Sequence, residues 1–72
     1  MKTVFNLTTL WCDGEHEIEI LDKILKQSDY KGNYTHTLST GTKVYDYERT
    51  IETNERRSIY LLTVYVRGNS NE

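Results

Sequence analysis

Three features of the sequence predict a small α+β domain, an antiparallel-rich sheet with one amphipathic helix packed on one face. Period-two alternation runs through residues 3–12 and 43–52 and again after Ser58. A single stretch, around Ile18 to Leu25, carries helical spacing instead. The chain has no Pro and ten Thr, a balance that leans toward strands. The element order read from these runs is strand, helix, strand, strand, strand.

The first strand is "TVFNLTTLWC", Thr3 to Cys12. Phe5, Leu7, Thr9 and Trp11 fall on one face, and Val4, Asn6, Thr8, Leu10 and Cys12 on the other. The next stretch, "DGEHEIEILDKILK", admits two readings. As a helix starting near Gly14, it gathers Ile18, Ile20, Leu21, Ile24 and Leu25 within roughly 160° and puts Glu19, Asp22, Lys23 and Lys26 opposite. Asp13 is then a candidate cap, and Glu19–Lys23 and Asp22–Lys26 are candidate i,i+4 pairs. As a hairpin, Asp13-Gly14 becomes a type I′ turn and the chain tends toward an all-β small barrel. Alternation ends at Ile20, whereas "ILDKIL" needs helical spacing, so the helix is preferred. A Gly14→Pro substitution is expected to separate the two, since Pro suits a first helical position and not a type I′ turn.

Beyond the helix, "QSDYKGNY" is the connection, with Gly32-Asn33 as its turn signal. "YTHTLST", Tyr34 to Thr40, is sparse in apolar residues and reads as an edge strand, followed by a turn at Gly41-Thr42. "KVYDYERTIE", Lys43 to Glu52, places Tyr45, Tyr47, Arg49 and Ile51 on one face and Val44, Asp46, Glu48 and Thr50 on the other. "TNERR" closes a hairpin into "SIYLLTVYVRG", which is apolar on both faces and therefore central. If the helix covers Tyr60, Leu62, Val64 and Val66, then Ile59, Leu61 and Tyr65 lie on an open side, with Tyr45 and Tyr47 as candidates to join them. Such a face predicts dimerisation or partner binding. The chain reads as one domain, 1–72, with a polar tail at 68–72 that frays.

Size and composition bound the function. A 72-residue chain buries only about 60% of its unfolded surface, so its core is one thin layer. A lone cysteine, Cys12, forbids an internal disulfide and favours a reducing, cytoplasmic setting. No run is long and apolar enough to span a bilayer. Net charge is −2, split as six acids against three bases in residues 1–30 and five against six in 31–72. Neither half is basic enough for strong non-specific nucleic-acid binding.

Candidate chemistry is sparse. Cys12 and His16 have C-x3-H spacing, but the second ligand pair of a structural zinc site is missing, so neither metal nor cofactor is expected. A cysteine nucleophile with His16 or His36 as base lacks an oxyanion-hole motif, a phosphate loop and room for a pocket, so the chain reads as non-enzymatic. What remains is surface: six Tyr, one Trp and several Arg, residue types enriched at binding hot spots. The expectation is a stand-alone protein-binding module using Tyr45, Tyr47, Arg49, Arg56, Arg57 and Tyr65, with self-association into a homodimer as a further expectation. Small phage or mobile-element accessory proteins that inhibit a host enzyme or defence complex have this general character. The runner-up is single-stranded DNA or RNA binding by the same tyrosine–arginine face.

Overall fold

The computed structural model describes residues 2–68. It contains β1 (Lys2–Cys12), α1 (Glu15–Gln27), β2 (Lys31–Thr37), β3 (Lys43–Glu52) and β4 (Arg56–Val66). The four strands form one sheet in the order β1-β4-β3-β2. It is a small α+β fold with an open sheet, not the barrel that the hairpin reading favoured. The sheet is mixed: β3 pairs antiparallel with both β4 and β2, whereas β1 lies parallel to β4. That parallel pair joins the two ends of the chain, with Lys2 opposite Arg56 and Cys12 opposite Val66.

α1 wins over the hairpin because its apolar spacing has a sheet to bury against. Ile18 and Leu25 are buried and Leu21 packs beside them, against Cys12, Tyr47, Leu62, Val64 and Val66. The helix is rotated from the expected orientation. Ile20 and Ile24 are exposed, while Asp22, expected on the outer side, turns toward the sheet and accepts a hydrogen bond from the Tyr47 hydroxyl at 2.7 Å. The buried phenol needs a partner, and Asp22 supplies it. Of the two predicted i,i+4 pairs, Asp22–Lys26 forms at 3.1 Å. Glu19–Lys23 is absent from the ion pairs of the described residues.

The helix ends also differ from expectation. The N-cap is Gly14 with extended backbone (φ −175°) and no side-chain cap, so Asp13 does not serve as one. Glu17 reaches back instead and accepts the Asp13 N–H at 2.9 Å, while the Asp13 carboxylate holds Arg67 at 3.2 Å. Gly14 therefore precedes the first helical position, and a proline there would demand a φ near −65° that the cap does not have. Glu15 is the position where Pro would fit.

At the other end, Tyr30 N–H donates to Leu25 O (2.9 Å) and Asp29 N–H to Lys26 O (3.3 Å). This is a Schellman motif with Asp29, at φ 67°, where glycine is usual. The turn thus lies at Ser28–Tyr30. Gly32, expected in a turn, sits inside β2 opposite Tyr47. A Cβ there would collide with the Asp46 carbonyl and the Tyr47 ring, so glycine is required by close approach.

The remaining expectations fare better. β3 has the predicted bounds, β4 is central, and the loop before β3 turns at Gly41 (φ 90°); β2 is the expected edge strand but runs Lys31–Thr37 rather than Tyr34 to Thr40. β4 starts two residues before Ser58, so Arg56 and Arg57 belong to the strand rather than to the turn. The tail expected to fray lies, from residue 69 on, outside the described residues.

Two substitutions check this account by thermal or denaturant unfolding. Gly32→Ala forces the Tyr47 ring and β3 apart and is expected to cost about 1–3 kcal/mol. Asp29→Gly relieves the left-handed backbone and is expected to add about 0.5–1 kcal/mol.

Candidate functional site

The register sorts every strand residue onto one of two faces. Tyr45 pairs with Val64 and Tyr47 with Leu62, so both tyrosines point to the helix side. Tyr47 is only 2% exposed and closed to any partner. Tyr45 is half-buried, stacked with Tyr47 at 6.5 Å and edge-on to Tyr34 at 5.7 Å. Arg49 shares their face, beside Tyr60. Arg56 is exposed at the far tip, and Arg57 is tied to Glu52 at 3.1 Å. Of the six predicted contact residues, only Tyr65 and Arg57 lie on the open face, Arg57 at its far end. Tyr45 and Tyr47 do not join it, because alternation makes odd positions of β3 face the helix once Leu62 and Val64 do.

The open face is built by β1 and β4. Parallel pairing sets Phe5 beside Ile59, Leu7 beside Leu61, Thr9 beside Thr63 and Trp11 beside Tyr65. Among the described residues no element covers this face: Leu7 is 75% exposed, Phe5 61% and Trp11 55%. Trp11 and Tyr65 stack at 4.9 Å with 26° between planes, and the Arg67 guanidinium lies 5.0 Å from the indole centroid. Ile59, Leu61 and Tyr65 were legible as an open side. Phe5, Leu7 and Trp11 were legible as one face of a strand, but nothing local said which strand they would join.

The β3 and β2 half of the same face is polar apart from Val44, which is buried beside Tyr65. Lys31 sits opposite Glu48 and Asn33 opposite Asp46, and Thr63 Oγ1 donates to Asp46 Oδ1 at 3.2 Å. A trough of about 740 Å³ crosses the boundary between the two halves, lined in part by Leu7, Thr9, Leu61, Thr63, Asp46 and Glu48. It is larger than the thin core led one to expect, and it is a solvent-open channel rather than an enclosed pocket.

Cys12 is buried, and burial first, then the Glu17 and Asp13 carboxylates, push its thiol up, away from the thiolate that a nucleophile or metal ligand needs. Among the described residues no three His, Cys, Asp or Glu side chains converge as a metal site, and no helix is long and apolar enough to cross a membrane. No known protein family, characterised protein or solved structure matches the chain.

The Tyr47–Asp22 bond gives the scaffold under this face its pH dependence. Burial, then the bond to Asp22, raises the Tyr47 phenol above its ordinary value, and the bond from Tyr47 holds the Asp22 carboxyl below its own. The tyrosine contribution is therefore full below about pH 10 and lost as pH rises through the elevated folded value. The aspartate contribution is full above about pH 4 and lost as pH falls through the depressed folded value. Tyr47→Phe is expected to cost about 1.5 kcal/mol at pH 7 and to flatten the unfolding profile at both extremes, as read by denaturant titration across pH.

Proposed function

We propose that this chain is a non-enzymatic protein-binding module that acts by laying the open sheet face on another protein. One observation carries the reading: Phe5, Leu7, Trp11, Ile59, Leu61 and Tyr65 lie in register on a single face that no layer of the described residues covers. Water contact with so many large apolar groups is costly, and burial against a partner recovers about 25 cal/mol per Å². The stacked Trp11–Tyr65 pair with Arg67 supplies the residue types that anchor interfaces. The polar half, with Lys31, Asp46 and Glu48, supplies the orienting charges at the rim. This mode of action suits a cytoplasmic protein whose one thiol is packed away. Inhibition of a host enzyme or defence complex is the outcome such coverage would have if the face of that partner were its working surface.

A second reading, single-stranded nucleic acid on the same face, is favoured by the Arg67–Trp11–Tyr65 stack, since aromatic and guanidinium planes accept bases. Against it stand Asp46 and Glu48, which place carboxylates on the face that phosphates would approach.

Affinity capture from the source organism, with mass-spectrometric identification, tests the first reading when three chains run side by side. Wild type and Ile20→Ser, which alters an exposed helix residue, are expected to retain the same protein. A Phe5→Ser/Trp11→Ala double variant is expected to lose it, with affinity falling by about 30-fold or more. Equal capture by all three chains removes the open face from the function. Fluorescence titration with single-stranded DNA and RNA at two salt concentrations decides the second reading: tight binding that weakens steeply with salt establishes it, and none at low salt ends it.

A further inference from the structure

Among the described residues, no strand pairs with the long outer edge of β1. Lys2 N–H donates to Glu55 O (3.1 Å), Cys12 O accepts from Arg67 N–H (3.0 Å), and the register between these ends is unbroken. The even-numbered residues therefore direct their backbone groups to β4, and Thr3, Phe5, Leu7, Thr9 and Trp11 direct theirs outward. From Thr3 to Cys12 there is no charge, no Pro and no bulge. The opposite edge, β2, is shorter, carries Lys31 and is broken by a register shift at Tyr34/His36. Proteins guard edges with devices of the β2 kind, and β1 carries only Lys2, at its very start.

We propose that two copies of this chain join through their β1 edges, antiparallel about a two-fold axis at Leu7, into one continuous eight-stranded sheet. The register follows from the geometry. Hydrogen-bonded antiparallel pairs must form between outward-directed residues, and of the registers that meet this condition only the one centred on Leu7 pairs all five. Leu7 then meets Leu7 of the second copy, Phe5 meets Thr9 and Thr3 meets Trp11, so each aromatic faces a small side chain.

Charge and the second face agree with this arrangement. Lys2 at one end of β1 comes opposite Cys12 of the second copy, next to its Asp13 and close to the acid-led start of its helix. On the helix side, Leu10 comes opposite Val4 of the second copy. α1 binds β3 through Asp22 and Glu15, so its opposite flank, with the exposed Ile24, leans toward β1 and this seam. The uncovered arm of each copy is thus laid beside the helix-bearing half of the other. The pairing leaves the open face free and doubles it, so it is independent of the binding reading above.

Sedimentation equilibrium on the full chain tests this. Wild type is expected at twice the 8.5 kDa chain mass. Leu7→Lys and Leu7→Glu, at the most exposed of the large apolar side chains, are each expected to stay folded by circular dichroism and to sediment as monomers, because like charges meet at the axis. An equal mixture of the two variants is expected to restore the doubled mass, a result specific to residue 7 meeting itself. Hydrogen exchange on wild type gives a measurement that needs no variant. The Phe5, Leu7 and Thr9 amides are expected to exchange about tenfold or more slowly in the dimer than at monomeric dilution. A wild-type monomer at near-millimolar concentration overturns the proposal, as does a mixture that stays monomeric. Fast exchange at these amides within a dimer, or a dimer lost only in Leu61→Glu, shows instead that the copies meet face to face.

Discussion

One 13-residue helix, about 20 Å long, is set against strands of up to eleven residues, about 36 Å long. Everything distinctive about the molecule follows from that mismatch. The helix can shield only the rows from Cys12, Val66 and Lys43 to Thr8, Leu62 and Tyr47, and the core is confined there. The far rows, with Val4, Tyr60, Arg49 and Ile51, extend past the helix as a three-stranded arm. The domain is accordingly elongated, 52 × 23 × 15 Å.

A thin core puts unusual weight on a few contacts. Tyr47 spans the gap between sheet and helix: its ring lies over the Gly32 backbone, and its hydroxyl reaches Asp22. It does at once what a larger protein would divide among several residues, filling volume and fixing the helix rotation. That rotation leaves Ile20 and Ile24 outside and turns Asp22 inward. Glu15–Lys43 and Asp13–Arg67 tie the helix start to the neighbouring strand ends. These last pairs are exposed and add little stability, but they orient the junction.

The same economy explains the surface. With a single helix on one side, the other side of the sheet must either be polar or find cover elsewhere. The β3 and β2 half is polar apart from Val44, and the β1 and β4 half is not. The proposed binding and pairing modes both start from that apolar half-face and the edge strand beside it. Both readings of function rest on this contrast rather than on any motif.

What the sequence by itself determined was everything governed by local periodicity. Alternation in Lys43–Glu52 set that strand, its bounds and its two faces, and the Ile18–Leu25 spacing chose helix over hairpin because no strand can bury Ile18, Leu21 and Leu25 on one side. Apolar residues on both faces marked β4 as central. What only the tertiary structure decided was which surfaces meet. Alternation says that Phe5, Leu7 and Trp11 share a face, but not that the strand lies parallel to β4 with Tyr65 beside Trp11, since that pairing joins residues more than fifty apart. It also cannot say which face the helix takes. That choice turned Tyr45 and Tyr47 from surface residues into core, rotated Asp22 toward a phenol, and left the apolar face to Trp11, Leu61 and Tyr65. Gly32 inside a strand was hidden for the same reason, since the ring of Tyr47, distant in sequence, selects it, whereas Asp29 in a glycine's position was hidden because no glycine marks that helix end.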